Sequence, residues 1–346
     1  MKILMTHELF LPTCHGGGEI VVYEITKRLK ESGVDIEVLT TGNPSIEEFK
    51  GIRTIRIPIN RYLMNFAAPL IYNHAKDVDL IQTNNYNACY SSWLAGKWLN
   101  KPVVCLVHEV YNEKWFEMRD PIGGTLSRIV ERLQIRHDFD KFLFLSEHMR
   151  HSAVRMGIPF EKTIVIKPGL EFKKFKMRKK EPYVLFVGSL IKRKGLDYLF
   201  QAARKLDDIK FLIVGEGGER ERLEKIAPDN TEFLGHVSEE RLIELYSKAL
   251  IFCLPSIGEG FGLVLLEAMA SGCAIVSTIP LEYEGVRIRP KDGNGIKNAI
   301  EYLIKNPKVA LRIGRKNRER AKGYSWDDFI NKLIRVYEEL FINFKE

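Results

Sequence analysis

Two runs of alternating strand-like and helix-like segments, parted by one proline-bounded basic stretch, limit this chain more than any other feature. In the first run, residues 2–5, 34–40, 80–83, 103–108, 141–146 and 163–167 read as strands, with helical patterns between most of them. Residues 19–32 show the helical type: Ile20, Val21, Ile25 and Leu29 repeat on one face, and Gly33 is placed to end the helix. Residues 168–182 break the pattern, with Pro168 and Pro182 at the ends and a cationic middle. The alternation then restarts, with strands at 183–189, 210–215, 232–234, 250–254 and 274–278 and helices at 195–206, 219–226, 239–248 and 263–271. Such alternation builds a parallel sheet covered on both faces. The expectation is an α/β protein of two doubly wound domains, 1–167 and 183–324, joined by a basic hinge at 168–182. A last helix, 325–346, has Ser325 and Asp328 at capping-box spacing and an apolar stripe from Trp326 to Phe341. That stripe must be buried, and the first domain is the expected place.

A chain of 346 residues is long for one core and suits this two-domain reading. The five cysteines (Cys14, Cys89, Cys105, Cys253 and Cys273) are far apart, form no C-x-x-C pair and lie in apolar surroundings. They read as buried free thiols in a reducing cytosol. The apolar part of the first residues is too short for a signal peptide, and no run approaches the roughly 20 apolar residues of a membrane span. A cytoplasmic protein is expected, with peripheral contact at the inner face of the membrane as an option. The net charge is +8, and residues 173–194 hold nine basic residues against one acidic. Anionic partners follow: phosphorylated donors, lipid phosphates or an anionic membrane surface, with a solvated linker as the bland alternative for residues 173–180. Nothing in the pattern asks for nucleic acid.

The chemistry concentrates where the strand ending at Leu254 runs into Pro255-Ser256-Ile257-Gly258-Glu259-Gly260-Phe261-Gly262 and then directly into an apolar helix carrying Glu267. Three glycines within five residues let a backbone approach a ligand closely. Free N–H groups at the helix start can hold a phosphate, and Glu259 and Glu267 can accept hydrogen bonds from hydroxyls on either side of it. Phosphate between two polyols describes a nucleotide sugar. Val187-Gly188-Ser189-Leu190-Ile191-Lys192-Arg193-Lys194-Gly195 ends the first strand of the second half, where cations can neutralise a leaving diphosphate. His15-Gly16-Gly17-Gly18-Glu19 is a second glycine loop ahead of a helix. His108 closes an apolar strand at its ligand-facing end, where it can meet a sugar hydroxyl or be merely structural.

Three other matches fail. Asp77-Val78-Asp79 and Asp138-Phe139-Asp140 have metal-binding D-x-D spacing but precede strands, at the wrong end of the sheet, and read as solvated turns. Gly215-Glu216-Gly217-Gly218 lacks the final spacing of a dinucleotide fingerprint. No His/Cys/Asp set has zinc spacing, so no metal and no cofactor are expected. Arg128, Arg132 and Arg136 recur at four-residue spacing on a helix, just after Trp115, Phe116 and Met118. They read either as a solvated arginine face or as a receiver for a phosphate-bearing or lipid-linked acceptor.

Taken together, the chain resembles glycosyltransferase family 4, retaining enzymes of the GT-B fold, over nearly its whole length. Gly258-Glu259-Gly260-Phe261-Gly262 through Glu267 is similar to that family's signature of two glutamates with seven residues between them. The resemblance implies two Rossmann-like domains facing a central cleft. It implies that Glu259 contacts donor-sugar hydroxyls and that the Phe261, Gly262 and Leu263 amides, after Gly260, meet sugar and phosphates. Glu267 would bind the ribose, and Lys194, aided by Arg193, the diphosphate. Gly17 and Gly18 would border the donor, His236 and Val237 would lie beside the base, and His108 would face the reacting sugar. Ser189 stands where the family often has arginine, and the segment 279–295 is shorter than the family's usual glycine-rich loop. The implied reaction is metal-independent transfer of a hexose-type sugar from a UDP- or GDP-sugar to a hydroxyl of a lipid-linked or glycan acceptor, with retention by front-face attack. A GT-B epimerase or phosphorylase, or a non-catalytic nucleotide-sugar-binding subunit, is the alternative.

Overall fold

The computed structural model describes residues 1–13 and 16–344, and the chain divides into two compact units. The first comprises Met1–Trp115, Pro121–Gly169 and Trp326–Glu346, and the second Phe116–Asp120 and Leu170–Ser325. Cys14 and His15 lie outside the described residues. The other four cysteines are buried and free.

The first unit holds strands β1 (Lys2–Thr6), β2 (Asp35–Thr41), β3 (Glu48–Phe49), β4 (Ile52–Ile57), β5 (Leu80–Asn84), β6 (Val103–Val107), β7 (Lys141–Phe144) and β8 (Thr163–Val165). They form one sheet in the order β3-β4-β2-β1-β5-β6-β7-β8, parallel except where β3 runs against β4. The β3–β4 pair has no counterpart in the sequence reading. It turns at Lys50 and Gly51, whose φ angles of 47° and 81° are both positive, as a tight hairpin turn requires. The core strands β5 and β6 are buried at every residue, as expected of continuous runs covered on both faces. From β1 the chain builds outward to β2 and β4, then returns to add β5 on the other side. Right-handed crossovers put the helices of these two halves on opposite faces.

Helices α1 (Gly17–Glu31), α2 (Ala68–Ala75), α3 (Cys89–Leu99), α5 (Pro121–Ile135) and α6 (Glu147–Arg155) complete that unit, and the short α4 (Trp115–Met118) has its last three residues in the second. In the second unit β9 (Glu181–Val187), β10 (Lys210–Val214), β11 (Thr231–Gly235), β12 (Ala249–Leu254), β13 (Ala274–Ser277) and β14 (Gly285–Arg287) form an all-parallel sheet ordered β11-β10-β9-β12-β13-β14. Its helices are α7 (Leu196–Ala203), α8 (Arg220–Ile226), α9 (Glu239–Lys248), α10 (Leu263–Ala270), α11 (Gly293–Lys305) and α12 (Pro307–Ala321). The last helix, α13 (Trp326–Asn343), belongs to the first unit, where its Trp326 ring carries the Arg28 guanidinium at 5.1 Å.

Parts of the basic stretch are committed inside the second unit. Strand β9 begins at Glu181, inside the span read as hinge. Lys180 Nζ donates to the Ser271 and Tyr246 carbonyls at 2.7 and 3.2 Å, and Lys174 pairs with Glu171 and Glu239 at 2.5 and 2.8 Å. Among the described residues no helix is long and apolar enough to cross a membrane.

Candidate active site

In a doubly wound sheet, ligands bind beyond the carboxyl ends of the strands, where the strand order reverses. Each unit has one such point: between β1 and β5 in the first, and between β9 and β12 in the second. His108 stands at the first, and Arg193, Lys194 and Glu259 stand at the second.

At the reversal point of the first unit, His108 follows β6 and is 5% exposed. The Asn84 side-chain amide donates to the Thr6 carbonyl at 2.9 Å, which leaves Asn84 Oδ1 to accept from His108 Nε2 at 2.6 Å. That pairing fixes the tautomer with the lone pair on Nδ1. Burial, with neighbouring His7, pushes the His108 pKa down to about 3, so the ring is neutral at physiological pH. Tyr86 stacks on it, with centroids 5.6 Å apart and planes 11° from parallel. Gly18, in the first turn of α1, lies against the open nitrogen: a Cβ there would sit 3.8 Å from His108 Nδ1. Gly17 begins the same helix and is exposed.

Four residues at this point escaped the sequence reading. Asn84 and Tyr86 position His108, as above. Glu8, buried just past β1, accepts the Asn87 N–H at 2.8 Å together with the Asn87 amide and the Arg61 guanidinium. His7 is buried with no hydrogen-bond partner for Nε2 among the described residues. Their one signal is position: each lies at the carboxyl end of a strand flanking the reversal point.

At the reversal point of the second unit, the loops after β9 and β12 are joined. Arg193 O accepts the Ile257 N–H at 2.7 Å, and the Arg193 guanidinium donates to Gly258 O at 3.0 Å. Gly195, at φ 73°, comes so close to Pro255 O that a Cβ would sit 2.2 Å from it. This junction brings Lys194 Nζ to 2.5 Å from Glu259 Oε2, which also accepts from Ser256 Oγ at 3.1 Å. The two side chains are 10% and 11% exposed. Burial works against the Glu259 charge, but Lys194 and Arg193 outweigh it and hold the carboxyl below its ordinary range. Gly262, at φ 81°, caps α10. The N–H groups of Phe261, Gly262 and Leu263 find no hydrogen-bond acceptor among the described residues. Free N–H groups at a helix start, two cations and a carboxylate therefore occupy one corner, an arrangement suited to an anion bearing hydroxyls.

Glu267 lies farther along α10, outside the Lys194 cluster. It accepts the Tyr246 hydroxyl at 2.8 Å, and burial lifts its carboxyl to about 7 against that hydrogen bond. Tyr246 was invisible locally, because it comes from α9. Ser189 is exposed in the loop after β9, and His236 (exposed) and Val237 (half-buried) follow β11 at the sheet edge.

The rejected glycine motif has a packing explanation. Gly215, at φ 131°, lies so near the Gly188 carbonyl that a Cβ would sit 2.0 Å away. The D-x-D pairs do precede strands, but two of their carboxylates are structural acceptors rather than solvated. Asp79 takes the Lys2 N–H and Asp140 the Val103 N–H, each at 2.8 Å. The arginine repeat flanks rather than fills the outward face of α5: Arg128 and Arg132 are half-buried and Arg136 is exposed, beside an outward face that is apolar. Among the described residues no three His, Cys, Asp or Glu side chains are grouped to hold a metal.

Comparison with known proteins agrees with this fold. Residues 15–174 match the family described as Glycosyltransferase Family 4, and residues 169–320 match Glycosyl transferases group 1. An uncharacterised glycosyltransferase of Methanocaldococcus jannaschii is 24% identical, with 98% of each chain covered. The N,N'-diacetylbacillosaminyl-diphospho-undecaprenol alpha-1,3-N-acetylgalactosaminyltransferase of Campylobacter jejuni is 24% identical over 92% of this chain and 90% of its own. Among solved structures, a sucrose-phosphate synthase from Thermosynechococcus elongatus shares the fold at TM-score 0.85 and 24% identity, covering 99% of both chains. An Anabaena protein in complex with UDP-glucose does so at TM-score 0.81 and 18% identity, over 98% of this chain and all of that one. With the two family matches together running from residue 15 to residue 320, the chain belongs to the family 4, group 1 glycosyltransferases and is an enzyme of the GT-B fold.

Proposed function

We propose that the enzyme moves a hexose-type sugar, with retention and without a metal ion, from a nucleoside-diphosphate sugar to a hydroxyl of a lipid-linked or glycan acceptor. The observation that carries this reading is the joined cluster of Arg193, Lys194, Glu259 and the unpaired amides of Phe261, Gly262 and Leu263. The diphosphate takes Lys194, Arg193 and the amides, Glu259 accepts hydroxyls of the sugar, and Glu267 accepts those of the ribose. His236 and Val237, with exposed Ser189, border the base and phosphates, and Gly17 and Gly18 leave room beside the donor. In the first unit, neutral His108 offers Nδ1 as an acceptor for a sugar hydroxyl.

As the bond from sugar C1 to the diphosphate oxygen breaks, the leaving oxygen takes the proton of the acceptor hydroxyl on the same face. The acceptor oxygen bonds to C1 from that face, so configuration is retained and no carboxylate of the protein becomes a nucleophile, unlike in retaining hydrolases. Fixed cations stabilise the charge that develops on the diphosphate. A UDP- or GDP-sugar is the proposed donor, with UDP supported by the relative solved with UDP-glucose. The acceptor is proposed to lie at the inner face of a membrane, with the enzyme peripheral to it.

The test is a donor panel read by nucleoside diphosphate release, with and without lipid-linked and glycan acceptors, followed by NMR of the product anomer. Turnover that persists in EDTA and yields a retained anomer is expected. If no nucleotide sugar binds or turns over, the reading fails. An inverted product, or activity lost in EDTA and restored by manganese, overturns the corresponding part.

A further inference from the structure

Helix α5 is turned the opposite way from an ordinary surface helix. Its outward face is apolar: Ile122 is 83% exposed, Leu126 62% and Leu133 63%, with Ile129 and Val130 about half exposed. These positions recur at three- and four-residue spacing and make one continuous stripe. A single exposed leucine means nothing, but a contiguous stripe on one helix marks a surface that something covers.

The charges on the same helix identify the cover. Its one acid, Glu131, is buried and fully engaged, with each oxygen accepting a backbone N–H at 2.7 Å, from Tyr111 and Asn112. The charge the helix shows outward is therefore all positive. Arg128 is held at the flank by Asn112 Oδ1 at 2.9 Å, while Arg132 and exposed Arg136 have no carboxylate partner among the described residues. Just past the helix, His137 lies 4.9 Å from the ring of Tyr90, an aromatic of the kind favoured at a membrane–water boundary.

We propose that the outward face of α5 docks on an anionic lipid bilayer, with Ile122, Leu126, Ile129, Val130 and Leu133 entering the headgroup–acyl boundary and Arg132 and Arg136 meeting lipid phosphates. An apolar stripe with cationic flanks on one helix is the physical form of an interfacial anchor. The inference rests on the membrane part of the proposed function and on nothing at the donor site.

The experiment is co-sedimentation of the full-length protein with phosphatidylglycerol and with phosphatidylcholine vesicles, comparing wild type with the Ile122→Gln, Leu126→Gln, Leu133→Gln triple variant. These side chains are exposed, so the fold should hold. Circular dichroism and nucleoside diphosphate binding on the same samples check the fold and the donor site independently. The expected result is wild-type binding to the anionic vesicles, weakened by at least about tenfold in the triple variant and by high salt. Wild type left in the supernatant, or a variant that binds as well as wild type, overturns the proposal. So does a wild-type dimer in analytical ultracentrifugation that the substitutions convert to monomer, since the cover would then be a second copy. Loss of nucleotide binding in wild type would count against the donor reading alone.

Discussion

Replacing Glu259 by glutamine should tighten the binding of free nucleoside diphosphate while impairing use of the intact donor. Lys194 is held 2.5 Å from the Glu259 carboxylate in a corner where both side chains are about one-tenth exposed. A diphosphate that recruits Lys194 must open this pair and leave Glu259 with Ser256 Oγ at 3.1 Å and Arg193 at 4.0 Å. An intact nucleotide sugar supplies hydroxyls to Glu259 in exchange, whereas the free diphosphate supplies none. Opening a buried pair with no replacement costs about 3–5 kcal/mol. Ser256 and Arg193 recover part of that, so the net penalty on diphosphate binding is about 1.5–3 kcal/mol, or roughly ten- to a hundredfold in affinity.

Glu259→Gln keeps the shape and removes the charge, so it frees Lys194 for phosphate. Titration calorimetry of UDP and GDP into wild type, Glu259→Gln and Lys194→Met reads this directly. Tightening in the first variant and weakening in the second are expected. Unchanged or weaker diphosphate binding in Glu259→Gln, with Lys194→Met still weakened, would refute the competition. The same pair then favours product release: once the sugar has left, Glu259 can recapture Lys194.

The remaining predictions follow from single features of the two clusters. The Glu267 carboxyl, lifted to about 7 by burial, should make nucleotide affinity rise between pH 6 and pH 8, and calorimetry across that range should show Glu267→Gln flattening the rise. Because the folded carboxyl keeps its proton above the ordinary 4.5, the native state binds more protons than the unfolded chain between pH 4.5 and about 7. Glu267 thus weakens stability progressively as pH climbs from 4.5 to about 7, and melting curves of Glu267→Gln should lose less over the same span. Asn84→Leu releases the His108 tautomer and should lower kcat with little change in nucleotide affinity, at a stability cost of about 1–3 kcal/mol for the Thr6 carbonyl left unpaired. Gly215→Ala places a methyl 2.0 Å from the Gly188 carbonyl at a φ that only glycine adopts easily, and urea melts should show a loss of at least about 2 kcal/mol.

What could be read from the sequence divides along a physical line. Strands such as β5, β6 and β12 are buried at every residue, so their apolar runs announced them, and the turn between β12 and α10 carried its glycines and glutamates in consecutive positions. The partners of those residues are set by strand order, which no local pattern contains. Asn84 meets His108 because β5 lies beside β6, and Tyr246 meets Glu267 only when α9 and α10 pack. The pair β3–β4 was too short to show a period, and only the positive φ angles at Lys50 and Gly51 reveal its turn. Helix α5 shows the limit most clearly. Periodicity correctly places Arg128, Arg132 and Arg136 along one side, but it is silent on which side meets the core. That choice falls to Glu131, whose two oxygens satisfy the Tyr111 and Asn112 N–H groups. Leaving those two N–H groups without acceptors in a buried position would cost about 1–3 kcal/mol each. The polar anchor therefore turns the apolar stripe outward, and the surface it creates is a consequence of hydrogen-bond satisfaction rather than of hydrophobic pattern.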